Sequence, residues 1–61
     1  MTKAEKKEEL RRIDERLYHI MNECAALRDD LEGIGRKGYE NRMDTITGKV
    51  YDLIIKIETE I

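Results

Sequence analysis

Between residues 10 and 31 the apolar side chains recur at alternating steps of three and four: Leu10, Ile13, Leu17, Ile20, Cys24, Leu27 and Leu31. Such a rhythm places every one of them on one stripe of an α-helix and is the signature of a heptad seam. No glycine or proline interrupts it before Gly33. Upstream, Thr2-Lys3-Ala4-Glu5 has the form of a capping box, in which the Thr hydroxyl and the Glu carboxylate each satisfy a free backbone N–H at the helix start. The pattern predicts one long helix over about 3–32.

The next segment, "GIGRKG" (Gly33 to Gly38), has the spacing G-x-G-x-x-G. A dinucleotide loop of that form must follow a strand and open a helix inside a βαβ unit. Here it follows a helix, and the rest of a 61-residue chain has no room for the sheet. The glycines are therefore read as a helix–helix turn, with Gly33 as the left-handed C-terminal cap and 33–41 as the connecting loop. Asn41 then caps a second helix over about 42–61. Its seam is Met43, Ile46, Val50, Leu53 and Ile57, widened by Ile54 and Ile61.

A strand competes for the C-terminal third. Tyr51, Leu53, Ile55, Ile57, Thr59 and Ile61 alternate with mostly polar neighbours, and Gly48-Lys49 fits a hairpin turn. Helix is preferred on two grounds. The 3-4 rhythm begins upstream, at Met43 and Ile46, and an isolated two-stranded hairpin is marginal in water. Gly48 falls at an outward position of the repeat.

The expected fold is all-α: one domain, 1–61, built as an antiparallel helical hairpin. A helix of about 30 residues is ~45 Å long and one of about 20 residues ~30 Å, so residues 1–9 overhang. Small chains usually need a staple. The single Cys24 cannot form an internal disulfide, and no Cys/His cluster points to a structural metal. Apolar groups off the seams (Tyr18, Met21, Ala25, Tyr51, Ile54 and Ile55) would leave a hairpin with an open apolar surface. Homodimerisation into a four-helix bundle covers it.

Charged residues make up 43% of the chain and the net charge is −2, which is not the strongly basic balance of a dedicated nucleic-acid binder. No apolar segment approaches the ~20 residues of a membrane span, and the N-terminus has no signal-peptide core. The expectation is a cytoplasmic chain with no membrane partner. The Glu, Lys, Arg and Ile bias, with Gln absent, leans toward a thermophile composition.

Candidate chemistry is sparse. Glu15, His19 and Glu23 share a stripe, but the four-residue Glu-to-His step differs from the Glu-x-x-His of di-iron bundles. Cys24 sits on the seam and reads as a small core hydrophobe. Lys3, Lys6, Lys7, Arg11, Arg12 and Arg16 are interleaved with Glu5, Glu8, Glu9 and Asp14 at helical spacing, as on a solvated face. No enzyme and no cofactor is expected. Candidate partner contacts are Tyr18 and Tyr51, since aromatics are enriched at interfaces, and the basic trio Arg36, Lys37 and Arg42 at the turn.

Two groups of dimeric helical hairpins share local patterns with the chain. Met1-Thr2-Lys3, Glu5 and Lys6 are similar to the opening of the plasmid repressor-of-primer family, which grips paired RNA loops; in this chain glutamates dilute the basic face. Gly48-Lys49, Tyr51 and Lys56-Ile57-Glu58, with Glu60 and a final apolar Ile61, resemble the small hairpin adaptors of archaeal spindle-shaped viruses over about a quarter of the chain. The second resemblance implies a viral adaptor that works by protein–protein contact in the host cytoplasm. The first implies an RNA- or DNA-binding regulator as the alternative.

Overall fold

The computed structural model describes residues 1–61 and consists of two helices, α1 (Lys3–Gly33) and α2 (Lys37–Glu60), with no strand. They lie side by side as an antiparallel hairpin measuring 49 × 14 × 13 Å. The radius of gyration is 14.5 Å, against roughly 10.5 Å for a compact globule of this length. The molecule is a rod two helices wide.

Helix α1 starts where the capping box places it. The Glu5 amide donates to Thr2 Oγ1 at 3.2 Å, and the Thr2 amide donates to Glu5 Oε1 at 3.3 Å. On the overhanging start, Arg11–Glu8 and Arg12–Glu9 pair one turn apart on the solvated surface, where such pairs contribute only tenths of a kcal/mol each.

The turn is shorter than the expected loop. Gly33 is still helical, Ile34 is the C-cap, and the left-handed residue is Gly35, at φ 75°. The Arg36 amide donates to Leu31 O and the Gly35 amide to Glu32 O, both at 3.0 Å. This pair of bonds is a Schellman motif, and it reverses the chain within residues 34–36. Helix α2 therefore begins at Lys37 rather than about 42, with Arg36 at the N-cap and no side-chain cap bond. Asn41 is inside the helix, where its carbonyl accepts from Thr45 Oγ1 at 3.2 Å. The early start is tied down by Glu40, which the added turn carries to within 3.3 Å of Arg28 on α1.

The C-terminal third is helical through Glu60. Its β-branched threonines fit because their hydroxyls bond back into the preceding turn. Thr47 donates to Met43 O and Thr59 to Ile55 O, each at 2.8 Å, which is a known accommodation of Thr in helices.

The inner seam differs from the 3-4 seam read from the sequence. With Leu10 and Met43 taken as heptad position a, the sheltered residues are Leu10, Leu17, Cys24 and Leu31 at a, with Asp14, Met21 and Arg28 at e. On α2 they are Met43, Val50 and Ile57 at a, with Glu40, Thr47, Ile54 and Ile61 at e. The d residues Ile13, Ile20, Leu27, Ile46 and Leu53 are exposed instead. The reason is visible on α2, which carries apolar residues in all three rows. Packing a and e together buries Ile54 completely and Ile57 almost so. The same rotation brings Asp14 and Arg28 of α1 inward. Beyond those two isoleucines, only Asp14 and Cys24 are buried, so the hairpin has a seam and no enclosed core.

Two glycine substitutions should move stability in opposite directions. A methyl group at Gly48 would meet nothing within 4 Å, so Gly48→Ala should stabilise by up to about 1 kcal/mol. Gly35→Ala forces an L side chain into the left-handed region and should destabilise by about 1–2 kcal/mol. Urea unfolding followed by circular dichroism reads both.

Candidate interaction surface

Helical geometry places the exposed rows. Successive residues turn by about 100°, so with a and e facing the opposite helix, b and d fall on opposite flanks. In an antiparallel pair the two b rows share one flank and the two d rows share the other. The side chains agree: Tyr18 and Glu58, both at b, meet across one flank, with the Tyr18 hydroxyl donating to Glu58 Oε1 at 2.6 Å.

The d flank is apolar from the turn to Ile13 on one helix and to Leu53 on the other, and Lys6 and Glu60 end the two rows. Ile13, Ile20 and Leu27 on α1, with the C-cap Ile34, lie beside Tyr39, Ile46 and Leu53 on α2, each between 42% and 71% exposed. A shallow hollow of about 310 Å³ lies beside Glu23, Ala26 and Leu27 at its edge. The g positions border the flank on its outer sides. On α1 these are Glu9, Arg16, Glu23 and Asp30; on α2 they are Arg42, Lys49 and Lys56. One border is mainly acidic and the other wholly basic. Contiguous apolar surface rimmed by charge is the usual form of a protein contact site.

The b flank is polar and carries strain. Asp14 is buried, and its Oδ1 has no hydrogen-bond partner. Loss of hydration raises its pKa above the ordinary 3.8, reinforced by a hydrogen bond with Glu58 and by repulsion from Glu58 and Glu15. The bond to Glu58, with loss of hydration and the nearby carboxylates, raises the Tyr18 hydroxyl to about 12. Tyr51 lies close enough to add to that shift. Further along, the half-buried Arg28 guanidinium bridges Glu40 and Asp44, so this charge of the seam is compensated, whereas that of buried Asp14 is not.

At the turn, Gly35, Arg36, Lys37, Gly38, Tyr39 and Arg42 line a shallow cleft of about 350 Å³. The structure brings the three basic residues together because α2 starts early: Arg42 follows Gly38 by one helical turn. The first N–H groups of α2 open onto this end without a side-chain cap.

The sequence-derived candidates thus divide. Leu10, Leu17, Cys24, Leu31, Met43, Val50 and Ile57 lie between the helices. Ile13, Ile20, Leu27, Ile46 and Leu53 lie on the open d flank. Tyr18 and Tyr51 are on the opposite, polar flank, and Arg36, Lys37 and Arg42 are at the turn. Sequence reading missed Asp14, which it placed on a solvated face; its spacing from Leu10 and Leu17, four and three residues, was the available signal. Ile34 and Tyr39 extend the d row and were hidden by assigning them to a loop. Glu15, His19 and Glu23 are exposed, and no group of three or more His, Cys, Asp or Glu side chains is placed to hold a metal ion. No helix is long and apolar enough to cross a membrane.

No known protein family, curated protein or solved structure gives a significant match to the chain.

The raised Asp14 pKa has a signed consequence. The folded chain holds this proton more tightly than the unfolded chain, so the contribution to stability is full below pH 3.8 and is lost as pH rises through the raised value. Asp14→Asn removes the charge but keeps the shape. Its thermal midpoint should exceed that of the parent at pH 7, and the difference should shrink towards pH 3.

Proposed function

We propose that the chain is a non-enzymatic interaction module, an adaptor or small regulator, that self-associates through the d flank into a homodimeric four-helix bundle. The single observation that carries this reading is the unbroken apolar row from Ile13 to Ile34 beside Tyr39, Ile46 and Leu53, exposed along one side of the hairpin. A flank of this kind is what one half of a four-helix bundle presents. The module's working surfaces are then those the bundle leaves outside: the polar flank with Tyr18 and Tyr51, and the turn with Arg36 and Lys37. A protein partner there is in keeping with the resemblance to viral hairpin adaptors, and a cytoplasmic setting, that of the host if the chain is viral, goes with that reading.

Sedimentation equilibrium tests the self-association. The parent chain should run at twice its monomer mass at micromolar concentration. Ile20→Glu and Leu27→Glu should convert it to a monomer, since a carboxylate there would be buried without a partner. Both sites are solvent-exposed in the hairpin, so the substitutions spare the α1–α2 seam.

A second reading, a nucleic-acid-binding regulator of the repressor-of-primer type, is favoured by one feature. Arg36, Lys37 and Arg42 line a cleft at the uncapped start of α2, where backbone N–H groups and the helix dipole suit a phosphate. Under this reading, RNA or DNA retains the chain at low salt and releases it steeply as salt rises. Arg36→Ala with Lys37→Ala should then abolish retention. Absence of retention at low salt removes this reading.

A further inference from the structure

We infer that the two hairpins of the dimer stack with their turns at the same end, so that α1 of each copy lies against α2 of the other. The inference rests on the self-association just proposed and adds its orientation.

A twofold stack of two d flanks has only two forms. If the axis runs along the rod, α1 lies on the partner's α2, antiparallel to it, and both turns share one end. If the axis runs across the rod within the interface, α1 lies on the partner's α1, α2 lies on the partner's α2, and the turns are at opposite ends. The apolar rows serve either form. The charged borders do not.

Position g lies next to d on the outer side of each helix, so the g rows of stacked helices meet along the edges of the interface. In the opposite-end form α2 meets its own copy. Its border consists of Arg42, Lys49 and Lys56, so every register of that form sets cation against cation. In the same-end form the basic border of α2 meets the border of α1, where three of the four residues are acidic.

The register sharpens this. Across the hairpin, the residue numbers of the contacts Tyr18–Glu58, Arg28–Asp44 and Arg28–Glu40 total 76, 72 and 68 and centre on 72. A twofold axis along the rod preserves height, so the same rule relates α1 to the partner's α2. Glu23 then stands level with the partner's Lys49, and Asp30 with the partner's Arg42. Ile20 falls within one residue of the partner's Leu53, and Leu27 within one residue of the partner's Ile46, so apolar layers and charge pairs coincide. Arg16 opposite the partner's Lys56 is the one like-charged match. The same-end stack also sets two copies of Arg36 and Lys37 side by side, giving the bundle one basic end and placing both N-termini at the other.

Two measurements test the orientation. A spin label at Arg36→Cys, in a Cys24→Ala background checked for helicity, reports the distance between turns. Helices pack about 8–10 Å apart, so the same-end form predicts label separations of roughly 20–30 Å. The opposite-end form, with the apolar rows overlapped, predicts a separation of roughly 40 Å, because the turns then lie about 12 residues of helix to either side of the axis. Charge reversal is the second measurement and needs no label. Lys49→Glu should weaken the dimer by roughly three- to tenfold, as expected for two rim ion pairs replaced by repulsion. Glu23→Lys should do the same, and combining the two should restore the parent affinity. A dimer with the long distance, or one that Lys49→Glu tightens by relieving repulsion within the basic border, overturns the same-end stack and leaves self-association standing. A chain that remains monomeric overturns self-association itself.

Discussion

The contact between α1 and α2 can close only two rows of each helix, and α2 has apolar residues in three. The rest of the structure depends on which two are chosen. Burying rows a and e places Ile54 and Ile57 at the centre of the seam and leaves row d open on both helices. Because the helices are antiparallel, the two open rows fall on the same flank. A single packing choice thus creates the seam and an apolar surface running along the rod.

The same choice has an electrostatic cost. Row e of α1 carries Asp14 and Arg28, which a seam of rows a and d would have left outside. Arg28 finds Glu40 and Asp44 across the seam. Those contacts help hold the first turn of α2 in place, so the short Schellman turn and the half-buried arginine support one another. Asp14 finds only another carboxylate, Glu58, and its raised pKa reflects that. A buried carboxylate without a cationic partner costs free energy, so the Asp14–Glu58–Tyr18 cluster is where the seam pays for the choice of rows.

The hairpin itself was legible in the sequence, for reasons tied to particular residues. Thr2 and Glu5 announce the start of α1, the uninterrupted 3-4 rhythm carries it to Gly33, and Met43 to Ile57 carry the second helix. Two features were not legible. A heptad pattern shows which rows are apolar but not which pair will pack, so the open row, on which the proposed function rests, could be identified only from the folded seam. The turn was overestimated because three glycines and Asn41 suggest a long loop. A Schellman motif needs only one left-handed residue, Gly35, and the contact of Glu40 with Arg28 is a tertiary reward that local propensity does not contain. The candidate contacts Tyr18 and Tyr51 were found by residue type, but their place on the polar flank separates them from the apolar surface.

Coverage of the open d flank by a second copy is the claim on which the functional reading depends, and mass action tests it directly. A fold completed by association becomes more stable as its concentration rises. The thermal midpoint, followed by circular dichroism from micromolar to millimolar chain at constant pH and salt, should climb steadily with concentration. A midpoint that stays fixed across that range, with the chain fully helical throughout, would contradict the account.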